Sequence, residues 1–183
     1  MKTNISKITL LALIPLLLCQ CAPLSRKVEE RRDRREKEIK EGYAAIKEMV
    51  HSGLYEFTAT RAYPAGYSSV DISGSNNYLT VRYYDVKGFM PFFGVRHMAD
   101  AQRQSGIRID TKMEELMIEE SDGRHRVLVS FTARGESDTY RMTLDIGPDG
   151  HARLTVASSK TSTISYHGRV SPIEPEEEED KNG

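Results

Sequence analysis

The sequence predicts a mainly β, α+β protein, in which about eight or nine strands form a curved antiparallel meander with an N-terminal helix packed on one side. Short segments of alternating apolar and polar residues recur from Leu54 to Val170, about ten residues apart and separated by turn residues. The segment from Ile39 to Val50 instead repeats its apolar residues at helical spacing. The apolar face of the sheet must be covered, either by this helix or by curling of the sheet into a half-barrel or barrel.

Residues 1–20 have the pattern of an export signal. Two lysines precede an apolar run from Ile8 to Leu18, whose length of about eleven residues is too short for a bilayer core that needs about twenty. The end of this run, Leu18-Cys19-Gln20-Cys21, resembles a bacterial lipoprotein signal, in which a leucine lies three positions before the modified cysteine. The resemblance implies lipidation at Cys21. One alternative is lipidation at Cys19. The other is an ordinary secretory signal that is cut near Ala22 and carries no lipid.

A lipidated cysteine would anchor the mature chain to a membrane. Thiolates are nucleophilic enough to be alkylated by a diacylglyceryl group, and each buried methylene of an acyl chain contributes about 0.8 kcal/mol, so two or three chains hold a protein durably. Cys19 and Cys21 are the only cysteines in the sequence. A mature chain that begins at Cys21 therefore cannot form an internal disulfide, and its stability must come from packing.

Residues 21–38 form a predicted charged spacer. Acidic residues precede basic residues by four positions, as in Glu30 and Arg34 or Asp33 and Lys37, a spacing that stabilises a solvated helix. Because acids and bases alternate throughout, a spacer is favoured over electrostatic attachment to anionic headgroups. Residues 39–53 continue as an amphipathic helix that docks on the β domain and stops at Gly53.

Residues 54–170 form the predicted antiparallel β domain. Turn signals such as Ser121-Asp122-Gly123 and Gly147-Pro148-Asp149-Gly150 divide it. Residues 88–94 are expected to interrupt the strands, since Pro91 cannot donate to a ladder. The predicted strands cover residues 55–60, 70–72, 78–86, 107–109, 116–120, 126–132, 140–146, 152–156 and 164–170. Residues 171–183 are an acidic tail that we expect to be disordered.

Several pieces of the β domain together resemble the bacterial domain-of-unknown-function family 4251, found mainly in exported proteins of Bacteroidota. The pieces are Phe57 with Ala62-Tyr63-Pro64, Tyr78-Leu79-Thr80-Val81, Met90-Pro91-Phe92-Phe93-Gly94 and Ile164-Ser165-Tyr166-His167-Gly168. The resemblance implies a mostly antiparallel fold in the cell envelope and brings no established activity. No early acidic run of the kind linked to surface export in this phylum follows Cys21, so we expect the protein to face the periplasm.

Neither a catalytic nor a cofactor-binding motif is present in the sequence. Five histidines occur, but none pairs with another at a metal-ligand spacing, and no Gly-x-Ser-x-Gly element is found. We therefore predict no catalytic residue, no metal and no cofactor. His97 with Asp100 is the nearest approach to a site. The 26 basic and 27 acidic residues give a net charge of −1, which argues against a nucleic-acid partner.

Aromatic residues provide the one candidate for a ligand pocket: Tyr83, Phe89, Phe92 and Phe93. At one end of a curved sheet they would bind a lipid or stack on a sugar, and the alternative is that they fill the core. The first functional hypothesis is thus a non-enzymatic, lipid-anchored envelope protein that binds a lipid, a glycan or another envelope protein. The alternatives are an envelope hydrolase that uses His97 and Asp100, and a purely structural lipoprotein.

Overall fold

The computed structural model describes residues 22–94, 106–135 and 138–175, with side chains from Lys27 onward. The predicted export signal with Cys19 and Cys21, the His97 and Asp100 pair, and most of the acidic tail lie outside the described residues. The chain divides into two compact units between Ile39 and Lys40.

One helix, α1, runs without interruption over Ala22–Ser52. Its charged first half is exposed from Lys27 to Glu38 and includes the Glu30–Arg34 ion pair at 4.0 Å. The helix ends where the sequence predicts, because Gly53 adopts a φ of 70°, a left-handed conformation that glycine enters without steric cost.

The described part of the chain contains ten strands. They are β1 (Leu54–Pro64), β2 (Val70–Asp71), β3 (Tyr78–Arg82), β4 (Asp85–Pro91), β5 (Gly106–Lys112), β6 (Glu114–Ser121), β7 (Arg126–Arg134), β8 (Thr139–Ile146), β9 (His151–Ala157) and β10 (Ile164–Pro172). Nine of them follow the order β5-β4-β3-β1-β10-β9-β8-β7-β6, and β2 pairs only with β1. Every pairing is antiparallel, which confirms the predicted fold class.

The sheet is strongly curved and nearly closed. Its two outermost strands, β5 and β6, are consecutive in the chain and are joined by the single residue Met113, whose N–H donates to the carbonyl of Tyr84 at 2.8 Å. An isolated bridge between Ile109 and Gly135 brings β5 against the end of β7. The segment from Gly106 to Ser121 therefore belongs to both edges of the sheet and brings them together.

The prediction of one strand over residues 78–86, followed by an irregular segment at 88–94, is wrong. The chain reverses at Tyr83 and Tyr84, and residues 85–91 form β4, which pairs with both β3 and β5. Tyr83 has a φ of 58°, and its N–H donates to the carbonyl of Gly53 at 2.6 Å. A tertiary contact thus holds a turn for which the local sequence offers no glycine or asparagine.

Alternate residues of the long strands fill the interior of the curved sheet. The largest side chains that are almost completely buried include Phe57, Leu79, Met90, Phe131, Met142, Leu144, Leu154 and Tyr166. Tyr166 also donates from its hydroxyl to the carbonyl of Pro91 at 2.8 Å. Burial raises the pKa of Tyr166, since a phenolate would lose its hydration there.

The second half of α1 packs beside the sheet, at the end that carries the β6–β7 and β8–β9 turns. Tyr43, Ile46 and Val50 are buried on one face of this half, as predicted. Gly42 lies so close to the backbone of Pro148, in the β8–β9 turn, that a side chain at position 42 would collide with it.

A polar rim surrounds this helix contact. The hydroxyl of Tyr43 donates to Asp122 at 2.9 Å, while Lys47 and His51 lie 3.3 and 2.7 Å from the carboxylate of Glu120. Burial and the hydrogen bond to Asp122 raise the pKa of Tyr43 to about 12. The hydrogen bond from His51 lowers the pKa of Glu120, and the weaker interaction with Lys47 lowers it further. These polar contacts add to the burial of the apolar face in holding the helix against the β6–β7 turn.

Small residues allow three central strands to approach where the sheet bends. Ala59 of β1, Gly168 of β10 and Ala152 of β9 lie side by side in register. A Cβ atom at position 168 would collide with the backbone of Thr58. The β1–β10 register also shifts between Ala59 and Arg61, a bulge that increases the local bend and returns Ala62 to the interior.

We predict that Ile46→Ala lowers the free energy of unfolding by about 2 to 4 kcal/mol, because it leaves a cavity between the helix and the sheet. Glu48→Ala, on the exposed face of the same helical turn, is the matched control and should change stability by less than about 0.5 kcal/mol. Urea unfolding followed by circular dichroism measures both. Equal stabilities of the two variants would contradict the docking of the helix.

We further predict that Gly168→Ala destabilises the protein by about 1 to 3 kcal/mol, because the added methyl group must displace β1 or β10. Gly74→Ala is the control, since a Cβ there meets nothing within 4 Å. The same unfolding measurement applies. A Gly168→Ala protein as stable as the control would show that the strands do not approach so closely.

Candidate functional site

The four aromatic residues predicted to form a pocket lie at different places along β4. Tyr83 is in the β3–β4 turn, with 60% of its surface exposed, whereas Phe92 and Phe93 follow the other end of the strand. At about 3.3 Å per residue, the extended chain from Tyr83 to Pro91 spans about 26 Å. The structure therefore does not bring the four residues together. Phe92 packs against the core, and Phe93 is 41% exposed.

Phe89 lies on the outer face of the sheet, in a row of side chains that crosses three strands. Tyr78 of β3 is directly opposite Phe89, and Phe89 is directly opposite Arg108 of β5. The guanidinium carbon of Arg108 lies 4.9 Å from the centre of the Phe89 ring, a cation–π distance. The row thus combines two aromatic rings with a cation on one surface.

A groove of about 340 Å³ runs along this row, at the place where β5 meets the end of β7. Two glycines shape it. A Cβ at position 106 would lie 2.6 Å from the Phe89 ring, and a Cβ at position 135 would lie 2.8 Å from the carbonyl of Arg108. Gly106 therefore leaves room for the ring, and Gly135 lets β7 approach β5. We call this surface the outer groove; its lining includes Tyr78, Phe89, Arg108, Thr111, Arg134 and Gly135.

The charged groups of the outer groove differ in how they are paired. Lys87 lies 3.2 Å from Asp110, and Arg134 lies 3.5 Å from Glu114. Within the described ranges, no carboxylate lies within ion-pair distance of Arg108, whose side chain is exposed. A guanidinium group has five N–H donors, so Arg108 retains donors for a ligand.

A second depression of about 480 Å³ continues the outer groove along the same strands. Its lining includes Glu56, Thr80, Arg82, Asp85 and Lys112, and it shares Lys87, Asp110 and Thr111 with the outer groove. The hydroxyl of Thr80 donates to Glu56 at 2.7 Å. The outer face of β3, β4 and β5 is therefore one continuous, open surface on which charged and apolar groups are mixed.

Among the described residues, no cluster of three or more histidine, cysteine, aspartate or glutamate side chains is arranged to hold a metal ion. The four described histidines have other contacts: His51 with Glu120, His125 with the Tyr43 ring, His151 with Arg169 and His167 with Arg153. The outer groove itself offers guanidinium hydrogen-bond donors and aromatic rings.

The sequence predicts a pocket role for Phe89 but does not reveal its neighbours. One strand over residues 78–86 followed by an irregular segment at 88–94 would not pair Tyr78 with Phe89, so the sequence does not predict the cross-strand row. The alternation of Val86, Gly88 and Met90 with exposed Lys87 and half-buried Phe89 is the signal that would have revealed β4.

The helix in the described part of the chain lacks the apolar length that a membrane crossing requires. Fold and surface together define a nearly closed antiparallel β domain with a packed interior, a helix beside it and an open groove outside.

The chain belongs to the bacterial family described as "Domain of unknown function (DUF4251)", whose model matches residues 37–170. It is similar in structure to a DUF4251 family protein from Bacteroides eggerthii DSM 20697 at a TM-score of 0.57 and 13% identity, over 72% of this chain and 87% of that one. This likeness concerns the fold. The comparison with curated proteins gave no match.

Proposed function

We propose that this protein is a lipid-anchored, non-enzymatic component of the cell envelope, whose β domain binds a saccharide in the outer groove. The single observation that carries the binding role is the row formed by Tyr78, Phe89 and Arg108. Sugar rings have apolar faces that pack on aromatic rings and hydroxyl groups that accept hydrogen bonds from guanidinium groups.

The shape of the surface favours a saccharide over an acyl chain. An acyl chain is stabilised by enclosure in an apolar cavity, but the inward-facing side chains of this sheet pack against each other as a continuous core. The outer groove is open, and Lys87, Asp110 and Arg134 surround its aromatic row. An open surface that mixes rings with charged groups suits a polar ligand with ring faces.

The anchor is supported by the charged start of the chain, the short apolar run and the cysteines that end it. In the described part of the chain, α1 continues this arrangement with a solvated helical segment. At about 1.5 Å per residue, the segment from Ala22 to Ile39 is about 26 Å long. A helix of this length serves as a spacer between the lipid and the residues that follow.

Labelling with radioactive palmitate tests the anchor. We expect label in the wild-type protein and in Cys19→Ser, and none in Cys21→Ser, because only the thiol of Cys21 becomes the modified residue. The conservative Cys19→Ser variant is the matched control. Label that persists in Cys21→Ser and disappears in Cys19→Ser would show that Cys19 carries the lipid. A wild-type protein without label would refute the lipid anchor.

Binding to immobilised peptidoglycan fragments and lipopolysaccharide-derived oligosaccharides tests the outer groove. We expect Arg108→Gln and Tyr78→Leu each to weaken binding by about tenfold or more, the effect of losing a charged hydrogen bond or a ring contact. Arg141→Gln, at an exposed position of β8, is the control for loss of positive charge and should bind as the wild type does.

Absence of wild-type binding to every saccharide tested would refute the saccharide role. Undiminished binding by both groove variants would place the site elsewhere. Circular dichroism of each variant separates loss of binding from loss of fold.

A further inference from the structure

A second charged surface lies on the outer face of β9 and β10, outside the outer groove. It consists of two histidines and two arginines in a two-by-two arrangement. Arg153 of β9 is directly opposite His167 of β10, and His151 of β9 is directly opposite Arg169 of β10. We call these four residues the β9–β10 square. Diagonal neighbours on adjacent antiparallel strands have side chains about 7 to 8 Å apart, so both guanidinium groups can reach one small ligand.

The hydrogen bonds within the square leave its positive charge uncompensated. Arg153 Nε donates to His167 Nε2 at 2.9 Å, and Arg169 Nη1 donates to His151 Nε2 at 2.9 Å. Arg169 Nη2 also donates to the carbonyl of Asp149 at 2.6 Å. The acceptors are two imidazole nitrogens and a backbone carbonyl, and none of them carries a negative charge.

Most nearby carboxylates are already paired with other cations. Asp145 is opposite Arg153 on β8, but its Oδ1 accepts from Arg126 at 2.6 Å. Asp71 lies 3.6 Å from Arg61. Asp149 lies beside the square: its Oδ2 is 3.9 Å from His151 Nε2, and its Oδ1 accepts from the backbone N–H of His151 at 3.1 Å. Within the described residues, neither arginine of the square lies within ion-pair distance of a carboxylate.

On the side of His167, the square borders β1, which contributes Tyr63. The ring of Tyr63 lies 4.3 Å from the His167 ring, with an angle of 38° between them. This contact partly covers His167, and burial together with the charge of Arg153 lowers the pKa of this histidine. His167 Nε2 accepts the hydrogen bond from Arg153 and adds no negative charge to the square. The square thus presents donors from both guanidinium groups.

We propose that the β9–β10 square is a binding site for a phosphate ester group. Guanidinium groups match the geometry of a phosphate and donate two parallel hydrogen bonds to it, and charge-assisted bonds of this kind are the strongest available at a protein surface. Phosphate esters occur on phospholipid headgroups and on phosphorylated saccharides, and the square recognises the group they share. The proposal is independent of saccharide binding in the outer groove.

The experiment is a nuclear magnetic resonance titration of the purified full-length chain in detergent, at constant ionic strength. The probes are inorganic phosphate, glycerol 3-phosphate as an analogue of a lipid headgroup, and glucose 6-phosphate as a phosphorylated sugar. We expect saturable shifts confined to β9, β10 and the Tyr63 region, with a Kd of about 1 mM or tighter. The tighter of the two ester probes identifies the source of the phosphate group.

Arg153→Gln and Arg169→Gln should each weaken binding by about tenfold or more. Arg141→Gln removes one positive charge from the neighbouring strand β8 and should bind within about twofold of the wild type, since screening reduces the influence of a distant surface charge. The amide spectrum of each variant shows whether the sheet is intact. Failure of all three probes to bind, or equal weakening by the Arg141 control, would overturn the proposal.

Discussion

The structure depends on one covalent constraint: the two outermost strands of the sheet follow each other directly in the chain. β5 pairs with β4, β6 pairs with β7, and only Met113 separates β5 from β6. The two edges of the sheet must therefore meet, and the apolar face is enclosed by the sheet itself. Closure also protects strand edges that would otherwise pair with another chain. The helix from Lys40 onward then covers what closure leaves exposed at one end.

Closure determines which face of the sheet stays open. A sheet of this size that curls around its own apolar face fills its interior with side chains, and residues such as Phe57, Phe131 and Tyr166 occupy that space. The two proposed binding surfaces therefore lie on the outer face, where cross-strand neighbours supply the chemistry. The outer groove joins the rings of Tyr78 and Phe89 on β3 and β4 to the guanidinium group of Arg108 on β5. The β9–β10 square joins histidines to arginines on the other half of the sheet.

Much of the fold could be predicted from alternation, because one face of each strand is buried and the other is not. The β6–β7 and β8–β9 hairpins lie where their turn residues predict. The turn at Tyr83 could not be predicted, since its left-handed conformation is held by a hydrogen bond to Gly53, far away in sequence. Without this turn, the sequence does not predict β4 as a separate strand, and it therefore does not predict the neighbours of Phe89. A cross-strand row requires the register of three strands, and local sequence does not fix register between strands separated by long loops.

The sequence by itself determined the helix, most of the strands and which face of each is buried. The apolar stripe of Tyr43, Ile46 and Val50 requires a partner surface, and the alternation from Leu54 to Val170 requires a one-sided antiparallel sheet. The tertiary structure alone decided that the sheet closes and which exposed residues become neighbours. The physical reason is that burial is encoded residue by residue, whereas a binding surface depends on pairing across strands. That pairing depends on the register of strands that are distant in the sequence.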